Sequence, residues 1–284
     1  MQKIIHVTDT HLRPPGETVV GLDPAARLRA VVSSINQNHA DAALCVLTGD
    51  LADQGEPEAY EVLRDCLAAL EVPVRLLLGN HDARAPFCRA FPAQPRDDGG
   101  FVQSTAVIGD TACLFLDTLD EERPGEGFLC SARLRWLDAQ LRLFAGKPLV
   151  VFLHHPPLPI GLAWFDSMLL ANGRAVIDRL AGRPGIAHVA FGHVHVNTSG
   201  TWCGVSYSAS RGTCHKVLSN ATAARADYAD HGPAYDLLLL GDDGVCVHSV
   251  DPAGPTRLIA CEFPTEDGKG SFQLFEREGE QRWI

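Results

Sequence analysis

The stretch "VAFGHVHVNTSG" (residues 189–200) runs an apolar segment into a polar turn, with His193 and His195 held between Gly192 and Gly200. In an extended chain residues two apart point to the same side, so both imidazoles can face one centre. Four other apolar runs end in the same way. "HVTDTH" (6–11) delivers Asp9 and His11, "VLTGD" (46–50) delivers Asp50, "LLLGNHD" (76–82) delivers Asn80 and His81, and "VFLHH" (151–155) delivers His154 and His155. Open α/β sheets gather their ligands beyond the carboxyl ends of the strands, where residues distant in sequence converge. One DxH pair, or one histidine after a strand, is an ordinary turn or a hydrogen-bonded side chain. Five strand ends that all carry metal-ligand residue types define a site.

The segments between these runs set the fold class. Asp23-Pro24 caps "AARLRAVVSSINQ", and "PEAYEVLRDCLAAL" (57–70) and "SARLRWLDAQLRLF" (131–144, with Ser131 as its cap) have helical periodicity. "FVQSTAVIG" and "ACLFLDT" read as a hairpin, and "PLVVFLHH" and "IAHVAFGH" as buried strands. After residue 200 come strand-like pieces, "GVSYSAS", "AYDLLLL", "VCVHSV" and "RLIACEF", separated by Gly, Asp and Pro turns. The expectation is one α/β domain over 1–284, in which 1–200 carries the ligand motifs and 201–284 is a β-rich portion completing a second sheet.

A net charge of -11 without any basic cluster argues against nucleic acid and anionic membranes as partners. The N-terminus enters a strand without a leader-like apolar stretch, and no run of about 18 apolar residues occurs, so a cytoplasmic location is expected. The nine cysteines are scattered without a CxxC, which speaks against a disulfide framework and a thiolate zinc site. Most are expected to be small buried apolar residues.

Asp9, His11, Asp50, Asn80, His154, His193 and His195 are more ligands than one ion needs, and suit two adjacent ions that share a carboxylate. Oxygen and imidazole donors fit two divalent or mixed-valence transition ions, Fe, Mn, Zn or Co. Two such ions against two carboxylates and a hydroxide leave a small positive charge, suited to a phosphodiester monoanion and to generating hydroxide at neutral pH.

The ordered set Asp9-Thr10-His11, Gly49-Asp50, Gly79-Asn80-His81-Asp82, His154 and Gly192-His193-Val194-His195 resembles the calcineurin-like metallophosphoesterase superfamily. "RPPGETVVG", "HHPPLPIG" and "RGTCHKV" are similar to its bacterial glycerophosphodiesterase and class III cyclic-nucleotide phosphodiesterase branch. The resemblance implies a four-layer α/β/β/α sandwich of two mixed sheets flanked by helices. It implies that Asp50 bridges two ions, with Asp9, His11 and His195 on one and Asn80, His154 and His193 on the other. It further implies that His81 stands beside the substrate phosphate, that His215 lines the substrate pocket, and that the protein forms a dimer or larger homo-oligomer.

The expected activity is hydrolysis of small phosphodiesters, glycerophosphodiesters or cyclic nucleotides, by attack of a metal-bound hydroxide, with Asp50, Asn80 and His81 as the catalytic group. The alternatives are a phosphomonoesterase or phosphoprotein phosphatase of the same fold, and a non-catalytic metal-binding scaffold. Alternation turns His155 away from His154, toward a supporting or packing role. Asp82 and Asp117 read as structural, by helix capping and strand-end hydrogen bonding. The apolar insert 156–172, with Trp164, Phe165 and Met168, is either a substrate cap or a packing segment.

Overall fold

A computed structural model describes residues 1–252 except 184, 223 and 224, together with three strands beyond them. Along the first part of the chain β1 (Gln2–Val7), β2 (Leu44–Leu47) and β3 (Val74–Leu76) run parallel, joined by helices α1 (Pro24–His39) and α2 (Pro57–Leu67) and followed by α3 (Arg84–Ala90). Then come the hairpin β4 (Ser104–Ile108) and β5 (Thr111–Phe115), α4 (Ser131–Leu143), β6 (Leu149–Leu153), α5 (Gly173–Leu180) and β7 (Ile186–Phe191). The remaining strands are β8 (Thr198–Trp202), β9 (Val205–Ala209), the short pair β10 (Lys216–Val217) and β11 (Tyr228–Ala229), then β12 (Tyr235–Gly241) and β13 (Gly244–Val250).

Local chemistry accounts for the helix starts. Asp23 accepts the Ala26 amide at 2.9 Å and Pro24 begins α1, whose buried Leu28, Val31, Val32 and Ile35 follow the helical repeat. Ser131 is the first residue of α4 and not its cap, because Cys130 occupies that position.

Two mixed sheets result, one in the order β13-β12-β1-β2-β3 and the other β4-β5-β6-β7-β9-β8. Strand alternation then separates three cores. Ile5, Val7, Leu47 and Leu76 pack with α1 and α2 residues such as Leu28, Ile35, Tyr60 and Leu63. Leu149, Val151 and Leu153 of β6 pack with Leu137 and Leu141 of α4 and Val176 and Ile177 of α5. Ile4, Val46, Phe115, Val150, Phe152 and Leu238 form the layer between the sheets. The strands are apolar on both faces because both are covered, giving the expected α/β/β/α sandwich.

The segment after residue 200 is distributed differently from the expectation. Among the described residues β8 and β9 alone extend the second sheet from this segment, while β12 pairs antiparallel with β1, with Ile4 opposite Leu238, and so completes the first. Met1–Pro252 forms one compact unit and Ala253–Ile284 a second, which contains the antiparallel sheet β14 (Ala260–Phe263), β15 (Ser271–Phe275) and β16 (Gln281–Trp283). The strand expected at 257–263 is present over its last four residues, and 257–259 lie outside the described residues.

Eight cysteines are described and all are free. Burial pushes the thiols of Cys45, Cys113 and Cys214 up to about 12, which suits packing residues. Cys261 lies outside the residues whose side chains are described. Among the described residues no helix is long and apolar enough to cross a membrane.

Candidate metal centre

Every ligand-type residue singled out in the sequence follows the carboxyl end of a parallel strand: Asp9 and His11 after β1, Asp50 after β2, Asn80 after β3, His154 after β6, and His193 and His195 after β7. The backbone leaves β form there. Seven non-glycine residues have positive φ among those described, and Asp9 (53°), His11 (44°), Asp50 (48°), His193 (70°) and His195 (49°) are five of them. Such dihedrals cost free energy in L-residues and cluster where function requires them. Pairing continues past the kinks, with the His11 amide on the Asp50 carbonyl at 2.9 Å and the Leu12 amide on that of Leu51 at 2.9 Å. Close approach explains two motif glycines. A Cβ on Gly79 meets Asp50 Oδ1 at 2.2 Å, and one on Gly192 meets Thr8 Oγ1 at 1.9 Å.

The side chains converge on Asp50, which is 1% exposed. Its Oδ2 lies 3.7 Å from His11 Nε2 and 3.3 Å from His154 Nε2, and its Oδ1 accepts the His81 amide at 2.9 Å. On one side Asp9, His11, Asp50 and His195 offer ligand atoms that all lie within 4.8 Å of one another. On the other, Asn80 Oδ1 is 3.2 Å from His154 Nε2 and 2.8 Å from His193 Nδ1.

The donor set fits metal ions on its tautomers. His195 Nδ1 donates to the His215 carbonyl at 3.0 Å, and His11 Nδ1 meets Asp53 Oδ1, an obligate acceptor, at 3.1 Å. As neutral rings both present lone pairs at Nε2, and these atoms face each other at 3.1 Å. His154 repeats the pattern, donating from Nδ1 to the Thr48 carbonyl at 3.1 Å and turning Nε2 toward the oxygens of Asp50 and Asn80. Acceptors packed against acceptors repel unless a cation lies among them.

The carboxylates favour positive charge among these rings, whether protons or a metal carry it. Burial opposes charge on His154, yet the neighbouring Asp50 carboxylate lifts the ring to about 9. Burial likewise opposes charge on His11, and the Asp53, Asp50 and Asp9 carboxylates outweigh it. Burial works to raise Asp50, but the His154, His81 and His11 rings hold it well below the usual carboxylate range. His193 is pushed down to about 3 by burial and by His154, which keeps it neutral and fit to ligate.

The remaining predicted residues fall around this centre. His81 is exposed at its edge, its ring edge-on to His11 at 4.7 Å and its Nδ1 donating to the Asp53 carbonyl at 2.7 Å. His215 is buried in the pocket lining, stacked on His195 with ring centroids 4.1 Å apart. His155 pairs through Nδ1 with Thr118 Oγ1 at 2.8 Å, yet its ligand atoms also lie within 4.8 Å of those of His154 and His193. Asp117 accepts the Val102 and Leu119 amides and pairs with Arg84, the expected strand-end role.

Asp82 caps no helix. Ala83 holds the N-cap of α3, and the Asp82 carboxylate instead accepts the amides of Leu51, Ala52 and Gly79 and the Tyr60 hydroxyl. Asp53 was not singled out in the sequence, although it orients His11 with its carboxylate and His81 with its carbonyl. Its place three residues after Asp50 in "GDLAD" was the available signal. The insert 156–172 contributes both to the packing and to the cavity lining. Leu170 and Phe165 join the α4–α5 core, while Trp164, Phe165 and Met168 line a cavity of about 490 Å³ over the centre.

A sequence model of the calcineurin-like phosphoesterase family matches residues 2–197. The chain belongs to this family. It is 40% identical over 249 residues to a probable cyclic nucleotide phosphodiesterase of Rhodopseudomonas palustris, covering 87% of this chain and 91% of that protein. It is 31% identical over 222 residues to the glycerophosphodiester phosphodiesterase GpdQ of Enterobacter lignolyticus, covering 75% and 78%. Among solved structures, a dimetal phosphatase from Danio rerio shares the fold at a TM-score of 0.66 and 18% identity, covering 89% of this chain and 96% of that one.

Proposed function

We propose that this protein is a dinuclear-metal phosphodiesterase acting on small diesters, either glycerophosphodiesters or cyclic nucleotides. The observation that carries the reading is the position of Asp50 Oδ2 between the Nε2 atoms of His11 and His154, with ligand groups completing a set on each side. Asp9, His11 and His195 would hold one ion, Asn80, His154 and His193 the other, and Asp50 both. The names of the relatives from Rhodopseudomonas palustris and Enterobacter lignolyticus support a diester substrate.

Ions bound there supply Lewis acidity, lowering the pKa of water from 15.7 toward about 7 and offsetting charge on the phosphoryl oxygens. The chain supplies the rest. The Asp53 carbonyl fixes the ring of His81 through Nδ1, and as the imidazolium that ring would serve a departing oxygen through Nε2–H. The Asp50 carboxylate, anchored by the His81 amide, holds that ring and the ligand set in one frame. Burial keeps His193 and His195 neutral, so these two rings need lose no proton to ligate.

The test is hydrolysis of bis(p-nitrophenyl) phosphate against p-nitrophenyl phosphate by metal-stripped protein reloaded with Mn, Co, Zn or Fe. Metal-dependent preference for the diester, abolished in Asn80→Ala, is expected. His81→Ala should lower turnover by about 10²–10⁴ while retaining metal. Preference for the monoester would make the protein a phosphatase, and no cleavage with any metal would make it a scaffold.

A further inference from the structure

Large apolar side chains left in water are uncommon enough to ask about when they share one place. Seven such residues are exposed among those described, and three of them, Val20, Trp164 and Tyr228, line the same cavity over the metal centre. They come from three separate segments: the loop after β1, the insert 156–172 and β11. We propose that these three side chains form a flat apolar clamp that makes the enzyme prefer diesters bearing an aromatic ring, such as a nucleobase, over those bearing only a polyol. The inference rests on the phosphodiesterase reading and names the part of the site that chooses among its substrates.

Each side of the clamp is held in place. The insert is tied down at both ends, by the Leu170 amide on the Pro156 carbonyl at 3.1 Å and the Ala171 amide on that of Gly127 at 2.8 Å. Asp166 accepts the amides of Ile160 and Gly161, and Ser167 Oγ donates to the Trp164 carbonyl at 2.6 Å, so the turn that carries the indole is closed on itself. Tyr228 packs on the ring of His215 at 4.7 Å, and His215 on His195 at 4.1 Å, which links the phenol to the ligand cluster. An aromatic fixed before binding loses little entropy when a ring stacks on it.

Val20 gives the independent sign. Val19 and Leu22 exchange both backbone hydrogen bonds, at 3.0 and 2.8 Å, around Val20 (φ 44°) and Gly21 (φ 83°). That is a two-residue turn with positive φ at both centres, which favours Asn, Asp or Gly at the first. A β-branched side chain there is strained, and it is 62% exposed. Outside the metal ligands only Val20 and Cys203 hold such dihedrals among the described non-glycine residues. The valine keeps that dihedral and lines the cavity. Arg13, the arginine among the described lining residues, is engaged by Glu17, Glu56 and Asp53 and is not free to meet a second anionic group.

The experiment compares kcat/KM for adenosine 3′,5′-cyclic phosphate and for glycerophosphoethanolamine in the metal-loaded full chain and in Trp164→Ala, Tyr228→Ala and Val20→Asn. Base–aromatic stacking of the usual strength implies that each aromatic variant shifts the ratio against the cyclic nucleotide by about tenfold, mainly through KM. Val20→Asn should lower the same ratio while raising the thermal midpoint by about 2 °C, since it relieves the turn. An unchanged ratio in all three variants overturns the clamp, as does wild-type protein that cleaves glycerophosphoethanolamine but not the cyclic nucleotide. Equal loss on both substrates together with dissociation of an oligomer on sedimentation overturns it too, by making the rim a subunit contact. If wild-type protein cleaves no diester, the phosphodiesterase reading falls. Binding of adenosine 5′-monophosphate by calorimetry then still judges the clamp, which requires weaker binding in Trp164→Ala.

Discussion

Replacing Asp82 by Asn removes one oxygen from a buried carboxylate that touches no ligand of the proposed centre but fastens two of its loops. Oδ2 accepts the amides of Leu51 (3.1 Å) and Gly79 (2.9 Å), and Oδ1 accepts the Ala52 amide (3.0 Å) and the Tyr60 hydroxyl (3.0 Å). Asparagine must turn an NH₂ toward one of these pairs. The better choice faces Ala52 and Tyr60, because a hydroxyl can rotate to accept, and it leaves one buried amide unpaired. That costs about 1–3 kcal/mol, and the other orientation about twice as much. Removing the charge also ends a repulsion with Asp50, since burial and the Asp50 carboxylate together push the Asp82 carboxyl up to about 6. The net loss should therefore sit near the lower end, about 1–2 kcal/mol by urea unfolding of metal-free protein. Asp50 and Asn80 lose their common anchor, so metal affinity should fall about 10- to 100-fold in a chelator competition. Unchanged stability together with unchanged affinity would refute the stapling role.

Gly192→Ala places a methyl 1.9 Å from Thr8 Oγ1 and 2.9 Å from Asp9 Oδ2. It should reduce bound metal and diester turnover at least about tenfold, as read by elemental analysis and rate, because small misplacement of a reacting group is costly. His188 is buried between Ser206 and Ser208, and burial pushes it down to about 4. Its folded pKa lies below the unfolded value, so the stability it protects is full above about pH 6.5 and is lost as pH falls toward 4. Between pH 7 and 5 this is about 2 kcal/mol, and His188→Gln should flatten the urea-derived stability profile by that amount relative to the natural chain. Dipicolinate treatment should lower the thermal midpoint, and reloading should restore it in a concentration-dependent way.

The centre was legible because each ligand follows an apolar strand, and the carboxyl end of a parallel strand fixes where the next residues must go. Asp9, His11, Asp50, Asn80, His154, His193 and His195 could thus be named without knowing the sheet order. Partner choice was not legible. "AYDLLLL" alternates in the same way whether it lies beside β1 or in the second sheet, and its register depends on faces buried only in three dimensions. Asp82 and Asp53 were misjudged or passed over because their roles lie in contacts across loops. Local spacing suggested a cap for one and nothing for the other, whereas the Leu51, Ala52 and His81 contacts appear only once β2 and β3 stand side by side.

The left-handed backbone at Asp9, His11, Asp50, His193 and His195 bears on how this protein responds to selection in the laboratory. At each of these positions glycine or asparagine relieves a dihedral penalty of order 1–3 kcal/mol. A library enriched for heat resistance alone should therefore collect its gains at the proposed ligands and discard the proposed chemistry first. Variants meant for harsh conditions have to be screened for bound metal and stability together.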